Sequence, residues 1–271
     1  MPSRRAVATM MEELRRALFP GYFGVPEVRA TTIAYHVGHA LDDVQRTMHV
    51  EVRRALAVSQ AETTSREALG VVAHRMISLF FDRLPEVQRL LGEDVRAAYL
   101  GDPAARSPDE AILCYPGLTA LTNHRVAHEL YRLDVPLIPR IISELAHSTT
   151  GIDIHPGAQL GERIFIDHGT GVVIGETCIV GNDVRIYQNV TLGAKSFPLD
   201  KDGQPVKFLP RHPIIEDNVV IYSGATILGR VTIGRGATLG GNVWITRDVA
   251  PGSRVTIQPA RYETYERGSG I

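Results

Sequence analysis

The stretch that decides the fold is Ile215-Glu-Asp-Asn-Val-Val-Ile221-Tyr-Ser-Gly-Ala-Thr-Ile227-Leu-Gly-Arg-Val-Thr-Ile233, in which a large apolar residue recurs every six positions. The period continues through Leu239 and Ile245, and Val or Ala follows each of these residues four positions later. A helix repeats its apolar face every 3.6 residues and a simple strand every two residues. A period of six therefore predicts short strands separated by tight turns, stacked as a parallel β-helix of hexapeptide repeats.

The same period appears earlier in the chain, but it is interrupted twice. It runs through Ile154, Leu160 and Ile166, skips two residues, and resumes at Ile174. The larger interruption extends from Gly193 to Pro213. Because each insertion costs loop-closure entropy and disturbs the ladder, we expect functional residues at these two places. A solenoid that serves only as a scaffold is the alternative.

The first half of the chain has helical spacing instead. Apolar residues three and four apart predict helices near residues 10–18, 33–56, 68–84, 86–100, 118–133 and 137–146. We expect the third of these to stop near Pro85, because proline breaks a helix interior. The predicted organisation is a helical domain at 1–148, a β-helix at 149–258 with an inserted loop at 194–212, and a tail at 259–271. The fold class is thus α + β, an N-terminal α-helical domain followed by a left-handed parallel β-helix.

Composition narrows the class of protein. The chain has 271 residues and a formal net charge of −1, so no strong field would recruit nucleic acid or an anionic membrane. No apolar run approaches the length of a membrane span, and no signal peptide is evident. The two cysteines, Cys114 and Cys178, do not form a disulfide framework and favour a reducing compartment, so we expect a cytoplasmic protein. Cys178 takes the small inward position of its repeat and is expected in the core.

The candidate chemical groups lie at the first interruption. Asp153 and His155 open the repeat region, and Asp167 and His168 follow within one coil. An aspartate that accepts the proton of one imidazole nitrogen leaves the other nitrogen basic, and such a histidine can deprotonate a hydroxyl at neutral pH. The helical histidines, such as His124 and His128, lack a metal-binding motif and are expected to be structural.

Five motifs with their order and spacing resemble the serine O-acetyltransferase family of hexapeptide-repeat acyltransferases. They are Asp153-Ile154-His155-Pro156, Asp167-His168-Gly169-Thr170-Gly171, Gly175-Glu176-Thr177, Val190-Thr191-Leu192-Gly193 and Arg211-His212-Pro213. The resemblance covers roughly residues 94–260, whereas the first 90 residues match weakly. It implies direct transfer of an acetyl group from acetyl-CoA to the hydroxyl of L-serine, the first step of cysteine biosynthesis, without a metal or a tightly bound cofactor.

The resemblance also implies residue roles. His168 would be the general base, oriented by Asp153. Asp102 and Asp167 would lie beside the substrate amine, and Arg211 and His212 would reach its carboxylate and the reacting centre. Pantetheine would run beside four small residues, namely Gly193, Ala194, Ser223 and Gly241. The physical logic agrees, since a zwitterion needs carboxylates on one side and a guanidinium on the other.

One segment departs from the family pattern. The family connects the leucine–glycine and Arg-His-Pro motifs by a short glycine-rich loop, whereas Ala194 to Pro210 is longer and more charged. The loop's effect on the acyl donor is therefore left open. Family members commonly end in an isoleucine that enters the active site of O-acetylserine sulfhydrylase, and Ile271 predicts such a partner. The resemblance further implies trimers through the coils, alone or paired into hexamers, with active sites between subunits.

Three other functions stay open on the sequence alone. A related acyltransferase could act on a sugar or on homoserine. A metal enzyme of the γ-carbonic anhydrase kind shares this solenoid, and His155, His168 and His212 would be its ligands. A non-catalytic partner of the sulfhydrylase would keep only the tail.

Overall fold

The computed structural model describes residues 1–24, 29–59 and 65–258 of the chain. Within these ranges, six helices come before the first strand. They are α1 (Arg4–Leu18), α2 (Ile33–Ser59), α3 (Arg66–Gly101), α4 (Pro108–Cys114), α5 (Pro116–Arg132) and α6 (Ile138–Thr150). No helix in the described ranges has both the length and the apolar character that crossing a membrane requires.

The second half is a coil of very short strands. They are β1 (Asp153–Ile154), β2 (Gln159–Leu160), β3 (Phe165–Ile166), β4 (Val173–Ile174), β5 (Ile179–Val180), β6 (Arg185–Ile186), β7 (Thr191–Gly193), β8 (Ile214–Ile215), β9 (Val220–Ile221), β10 (Thr226–Leu228), β11 (Thr232–Ile233), β12 (Thr238–Leu239), β13 (Trp244–Ile245) and β14 (Arg254–Val255). They pair in parallel as sheet A (β1-β4-β7-β10-β13), sheet B (β11-β8-β5-β2) and sheet C (β14-β12-β9-β6-β3). Each of the first four coils gives one strand to each sheet, and the last coil gives strands to sheets A and C. The predicted left-handed β-helix is therefore confirmed.

The six-residue period becomes the inner surface of the coil. Strand register places the inward residues of sheet A directly above one another, in the order Ile154, Ile174, Leu192, Ile227 and Ile245. Each is at most 9 % exposed, and the remaining repeat positions fill the same core. Cys178 is buried there, as predicted, and burial raises the pKa of its thiol to about 12.

Two of the three corners of the coil matter for the site. The C–A corner consists of the turns from sheet C to sheet A, at 167–172, 187–190, 222–225 and 240–243. The A–B corner consists of the turns from sheet A to sheet B, at 155–158, 175–178, 194–213 and 229–231. At the C–A corner Asn189 and Asn242 have positive φ, of 58° and 58°, a conformation that asparagine tolerates better than most residues.

The predicted helix break at Pro85 is wrong. Helix α3 runs through this proline from Arg66 to Gly101. Pro85 removes one backbone hydrogen bond, but Leu84 and Val87 on either side, together with Phe80 and Leu91, are all buried in one helical core. Packing of this continuous face therefore outweighs the local cost of the proline, about 3 kcal/mol.

The end of the helical half lies close to its predicted position. Helix α6 continues past residue 148 to Thr150 and stops at Gly151, whose φ is 71° and whose amide donates to the His147 carbonyl. Strand β1 begins two residues later at Asp153. The second interruption separates β7, which ends at Gly193, from β8, which begins at Ile214.

A buried ion pair joins the two halves. The Arg125 guanidinium of α5 donates to both carboxylate oxygens of Asp94 on α3, at 2.6 and 2.9 Å. The same two side chains reach the first coil, since Arg125 donates to the Gly161 carbonyl at 2.9 Å and Asp94 accepts from the Ile164 amide at 3.0 Å. Asp94 is 0 % exposed and Arg125 is 4 % exposed. The two helices are thus fixed to the coil by groups that water does not reach.

Arg125→Met should lower the free energy of unfolding by about 3–5 kcal/mol, because it leaves the Asp94 carboxylate buried without its partner. Urea unfolding followed by circular dichroism measures the change. The matched control is Arg46→Met, which removes an exposed guanidinium paired with Asp42 and Asp43 and should change the free energy of unfolding far less, because exposed ion pairs contribute little to stability. Equal effects of the two substitutions would show that the buried pair has no special role.

Candidate active site

His168 lies at the first interruption, in the turn that leaves β3 for β4. Its φ is 57°, which is rare outside glycine, and Gly169 and Gly171 beside it also have positive φ. The turn is closed by the amide of Val172, which donates to the Gly169 carbonyl at 2.9 Å. This backbone directs the imidazole outward, where its side chain is 72 % exposed, with Nδ1 4.0 Å from Oδ1 of Asp167. The two-residue insertion thus presents a histidine at the surface of the C–A corner.

Asp102 reaches the same corner from the end of α3. Its Oδ2 accepts a hydrogen bond from the Tyr115 hydroxyl at 2.5 Å, and its Oδ1 accepts from the Ala104 amide at 2.8 Å. These two bonds, together with the nearby His168, lower the pKa of Asp102. Burial and the bond to Asp102 raise the pKa of Tyr115, which keeps the phenol protonated as a donor. Asp102, which lies 65 residues before Asp167 in the sequence, therefore meets Asp167 and His168 at one corner of one chain.

Asp153 lies on the neighbouring coil at this corner. The amide of Asp153 donates to the Val172 carbonyl and the amide of Gly171 donates to the Gly151 carbonyl, both within 2.9 Å, so β1 adjoins the turn that carries His168. The Asp153 side chain instead faces Glu144 and His147 of α6, and one donor atom from each of the three residues lies within 4.8 Å of the others. Among the described residues, no hydrogen bond or ion pair links Asp153 to His168 within one chain. The predicted orienting contact stays a prediction.

Arg211 and His212 lie at the A–B corner, where the hydroxyl of Thr177 holds both. This oxygen accepts from the Arg211 amide at 2.9 Å and from the His212 amide at 3.1 Å. The Thr177 amide in turn donates to Nδ1 of His212 at 3.1 Å, which leaves Nε2 as the protonated nitrogen of a neutral ring. The Arg211 guanidinium donates to Glu176 at 2.6 Å. The Gly175-Glu176-Thr177 motif is therefore the support of the Arg-His motif.

His212 and its neighbour His155 have strongly altered acidity. Burial, followed by the charge of Arg211, lowers the pKa of His212 to about 4. Burial, followed by the charge of Arg140, lowers the pKa of His155 to about 4. A Cβ atom on Gly175 would lie 2.0 Å from Cδ2 of His212, so only glycine leaves room for this ring.

The four residues predicted for coenzyme A lie in two pairs. Gly193 ends β7 and Ala194 follows it at the A–B corner. Ser223 and Gly241 lie on adjacent coils of the C–A corner, where a Cβ atom on Gly241 would come within 3.2 Å of the Ser223 carbonyl. Within one chain, sheet A separates the two pairs in the same way as it separates His168 from Arg211.

The three imidazoles of the carbonic anhydrase alternative do not converge in one chain. His155 and His212 lie at the A–B corner and His168 at the C–A corner, and Nδ1 of His155 already accepts from the Gly157 amide at 3.0 Å. Among the described residues, three metal-ligating atoms lie within 4.8 Å of one another in the group of Glu144, His147 and Asp153, and in no group that contains these histidines.

Comparison with known proteins shows the family to which the chain belongs. Residues 212–247 match the bacterial transferase hexapeptide (six repeats) family model. The chain is 52% identical over its full length to a plasmid-encoded serine acetyltransferase of Synechococcus elongatus, of which it covers 86%. The chain belongs to the serine acetyltransferase family.

Solved structures of the family share its architecture. The Entamoeba histolytica serine acetyltransferase isoform 3 in complex with cysteine superposes with a TM-score of 0.80 at 33% identity, covering 98% of this chain and 86% of that one. The soybean serine acetyltransferase complexed with serine has a TM-score of 0.60 at 30% identity, covering 96% of this chain and 99% of that one. Family membership makes the chain an acyltransferase.

Sequence reasoning assigned no role to several residues of this acyltransferase site. Glu176 and Thr177 belong to the Gly175-Glu176-Thr177 motif, but no individual role was predicted for them. The carboxylate that directly follows a glycine in this repeat was a signal that could have pointed to them. Tyr115 had no signal, because its bond to Asp102 joins the start of α5 to the end of α3. Tyr187 and Tyr222 stack at the C–A corner, and no sequence motif distinguishes them from other residues of the repeats.

The low pKa values of His155 and His212 predict a stability that depends on pH. An unfolded histidine titrates near 6.5, so between about pH 6.5 and 4 the unfolded state binds more protons than the folded state. The free energy of unfolding should therefore fall as the pH is lowered through this window. Ring titrations by nuclear magnetic resonance should give midpoints near 4 for both residues. The double variant His155→Gln, His212→Gln should show a shallower pH dependence, and midpoints near 6.5 in the parent would contradict the expected burial.

Proposed function

We propose that this chain transfers the acetyl group of acetyl-CoA to the hydroxyl of L-serine, giving O-acetylserine and free coenzyme A. The observation that carries the proposal is the meeting of His168 with Asp102 and Asp167 at one corner, in a chain that resembles serine acetyltransferases along its full length. The soybean relative is complexed with serine, which supports serine as the acceptor.

The reaction needs one base and no covalent enzyme intermediate. His168 removes the hydroxyl proton of serine as the oxygen attacks the thioester carbon. The new C–O bond forms, the C–S bond breaks, and the imidazolium returns the proton to the departing thiolate of coenzyme A. Asp153 orients the ring after the exposed imidazole turns toward the adjacent coil, and a steadied tautomer keeps the other nitrogen basic.

The zwitterion is recognised by two charged groups that one chain holds apart. Asp102 and Asp167 at the C–A corner suit the ammonium, and Arg211 at the A–B corner suits the carboxylate. The intervening residues 172–175 cross sheet A, a span of about 10 Å at 3.3 Å per residue, whereas the two charges of serine are only a few ångströms apart. We therefore place the site between copies, in a trimer formed through the coils, alone or paired into a hexamer.

Acetyl-CoA is then the second substrate, bound across the same interface. Gly193 and Ala194 of one copy and Ser223 and Gly241 of the next offer small residues to the pantetheine arm. The loop 194–212 has a short antiparallel bridge between Leu199 and Pro205, and its apolar side chains are outward, with Phe208 82% exposed. We infer that this loop covers the donor, so that its apolar residues are shielded when acetyl-CoA is bound.

The partner enzyme and the compartment are also proposals. Pro259–Ile271 lie outside the described residues, so the predicted insertion of Ile271 into O-acetylserine sulfhydrylase rests on the resemblance. Two unpaired cysteines, Cys114 and Cys178, favour a reducing compartment such as the cytoplasm.

His168→Ala should lower kcat by well over a hundredfold, because it removes the general base. Release of thiol from acetyl-CoA, measured with and without L-serine, follows the reaction. His39→Ala is the matched control, since His39 is an exposed helical histidine paired with Asp43, and it should keep full activity. L-Homoserine and a galactoside tested in parallel separate the rival acceptors, and a serine-independent rate in the parent would refute the proposal.

Subunit mixing tests the placement of the site between copies. His168→Ala and Arg211→Ala homotrimers should each be nearly inactive. Refolded together, they should regain activity, because some interfaces then combine an intact His168 with an intact Arg211 from different copies. In a random mixture about a quarter of the interfaces are intact, so recovery near one quarter of the parent rate is expected. Activity no higher than in the separate variants would place both residues in one chain's site.

A further inference from the structure

A stacked pair of tyrosines stands directly above the carboxylates of the C–A corner. The rings of Tyr187 and Tyr222 lie 5.2 Å apart at an angle of 10°. Strand register pairs Ile166 with Ile186 and Ile186 with Ile221, so Asp167, Tyr187 and Tyr222 occupy the same position on three successive coils. Backbone hydrogen bonds hold the three residues in this alignment. The Asp167 amide donates to the Ile186 carbonyl, and the Tyr187 amide donates to the Ile221 carbonyl.

Tyr187 is the member of the pair that adjoins the acidic residues. Burial and then the negative charge of Asp167, with a smaller effect from Asp102, raise the pKa of Tyr187. The phenol is therefore protonated, half-buried and within the field of both carboxylates. Tyr222 is 43% exposed and stacks on the far side of the Tyr187 ring, where it limits rotation of that ring.

An aromatic face beside two carboxylates is a favourable environment for an ammonium group. The carboxylates supply charge, and the ring face attracts the same cation through its quadrupole. A rigid ring also limits the space around the nitrogen, which two flexible carboxylates cannot do alone.

We propose that Tyr187, held in place by Tyr222, forms the wall of the ammonium subsite and selects acceptors with an unsubstituted α-amino group. This inference rests on the proposed acetyl transfer to serine and adds the residue that determines acceptor specificity. Asp102 and Asp167 bind the charge of the ammonium, and Tyr187 sets how large that group can be.

The test compares Tyr187→Leu, Tyr187→Phe and Tyr222→Gly in the full-length protein. Tyr187→Leu should raise KM for L-serine about tenfold, with KM for acetyl-CoA changed less than about twofold, because only the acceptor loses its aromatic contact. Tyr187→Phe keeps the ring and should stay within about threefold of the parent. Tyr222→Gly should have a smaller effect than Tyr187→Leu. Tyr35→Leu removes a tyrosine that is 72% exposed on α2 and is the control.

A second substrate separates the steric role of Tyr187 from its contact with the ammonium charge. N-methyl-L-serine carries the same charge in a larger group, so the ratio of its kcat/KM to that of L-serine should rise at least about tenfold in Tyr187→Leu and stay low in Tyr187→Phe. If Tyr187→Leu folds poorly, Tyr187→Met has similar length and carries the same expectation. An unchanged serine KM and an unchanged ratio in an active variant would overturn the inference.

Failure of the inference can be told apart from failure of the proposed function. If the parent does not acetylate L-serine, the proposed function fails whatever the tyrosines do. Calorimetric binding of L-serine needs no turnover, and the affinity of Tyr187→Leu should still be about tenfold weaker than that of the parent. Equal affinities would reject the role of Tyr187 on binding alone.

Discussion

The buried pair of Arg125 and Asp94 is the constraint on which the rest of the structure depends. It fixes α3 and α5 to one another and to the Gly161 carbonyl and the Ile164 amide of the first coil. Asp102 caps the C-terminus of α3, eight residues after Asp94 and about 12 Å along the helix axis. Arg125 and Tyr115 are similarly linked through α5. The pair therefore determines where Asp102 and Tyr115 stand relative to His168, so a contact far from the proposed chemistry positions part of it.

The close approach of two glycines at helix ends to β3 sharpens this positioning. A Cβ atom on Gly117 of α5 would lie 2.1 Å from the Ile166 carbonyl, and one on Gly101 at the end of α3 would lie 2.6 Å from the Phe165 ring. Both glycines adjoin β3, the strand that leads into Asp167 and His168. The helices can thus approach β3 closely enough for residues at their ends to share a corner with the turn that follows it.

Much of this architecture could be predicted from the sequence because the coil has a strict local period. Inward residues such as Ile174 and Leu192 repeat at six, and the two failures of the period marked the places where His168 and Arg211 lie. Pro85 misled the helix prediction, since the sequence shows the proline but not the continuous core that α3 enters. The Tyr115 and Tyr187 contacts could not be predicted, because they depend on how separate elements dock and on which coil stands above which.

The separation of the charged residues also follows from the period. A coil of three short strands must place its insertions at corners, and this chain has one at the C–A corner, with His168, and one at the A–B corner, with Arg211. The proposed trimer is cyclic and joins unlike surfaces, so the C–A corner of one copy would meet the A–B corner of the next at every interface. Each interface then combines both insertions, with the carboxylates from one copy and the guanidinium from the other. The separation of the two charged corners within one chain is thus the reason for proposing three sites, one at each interface of a ring of copies.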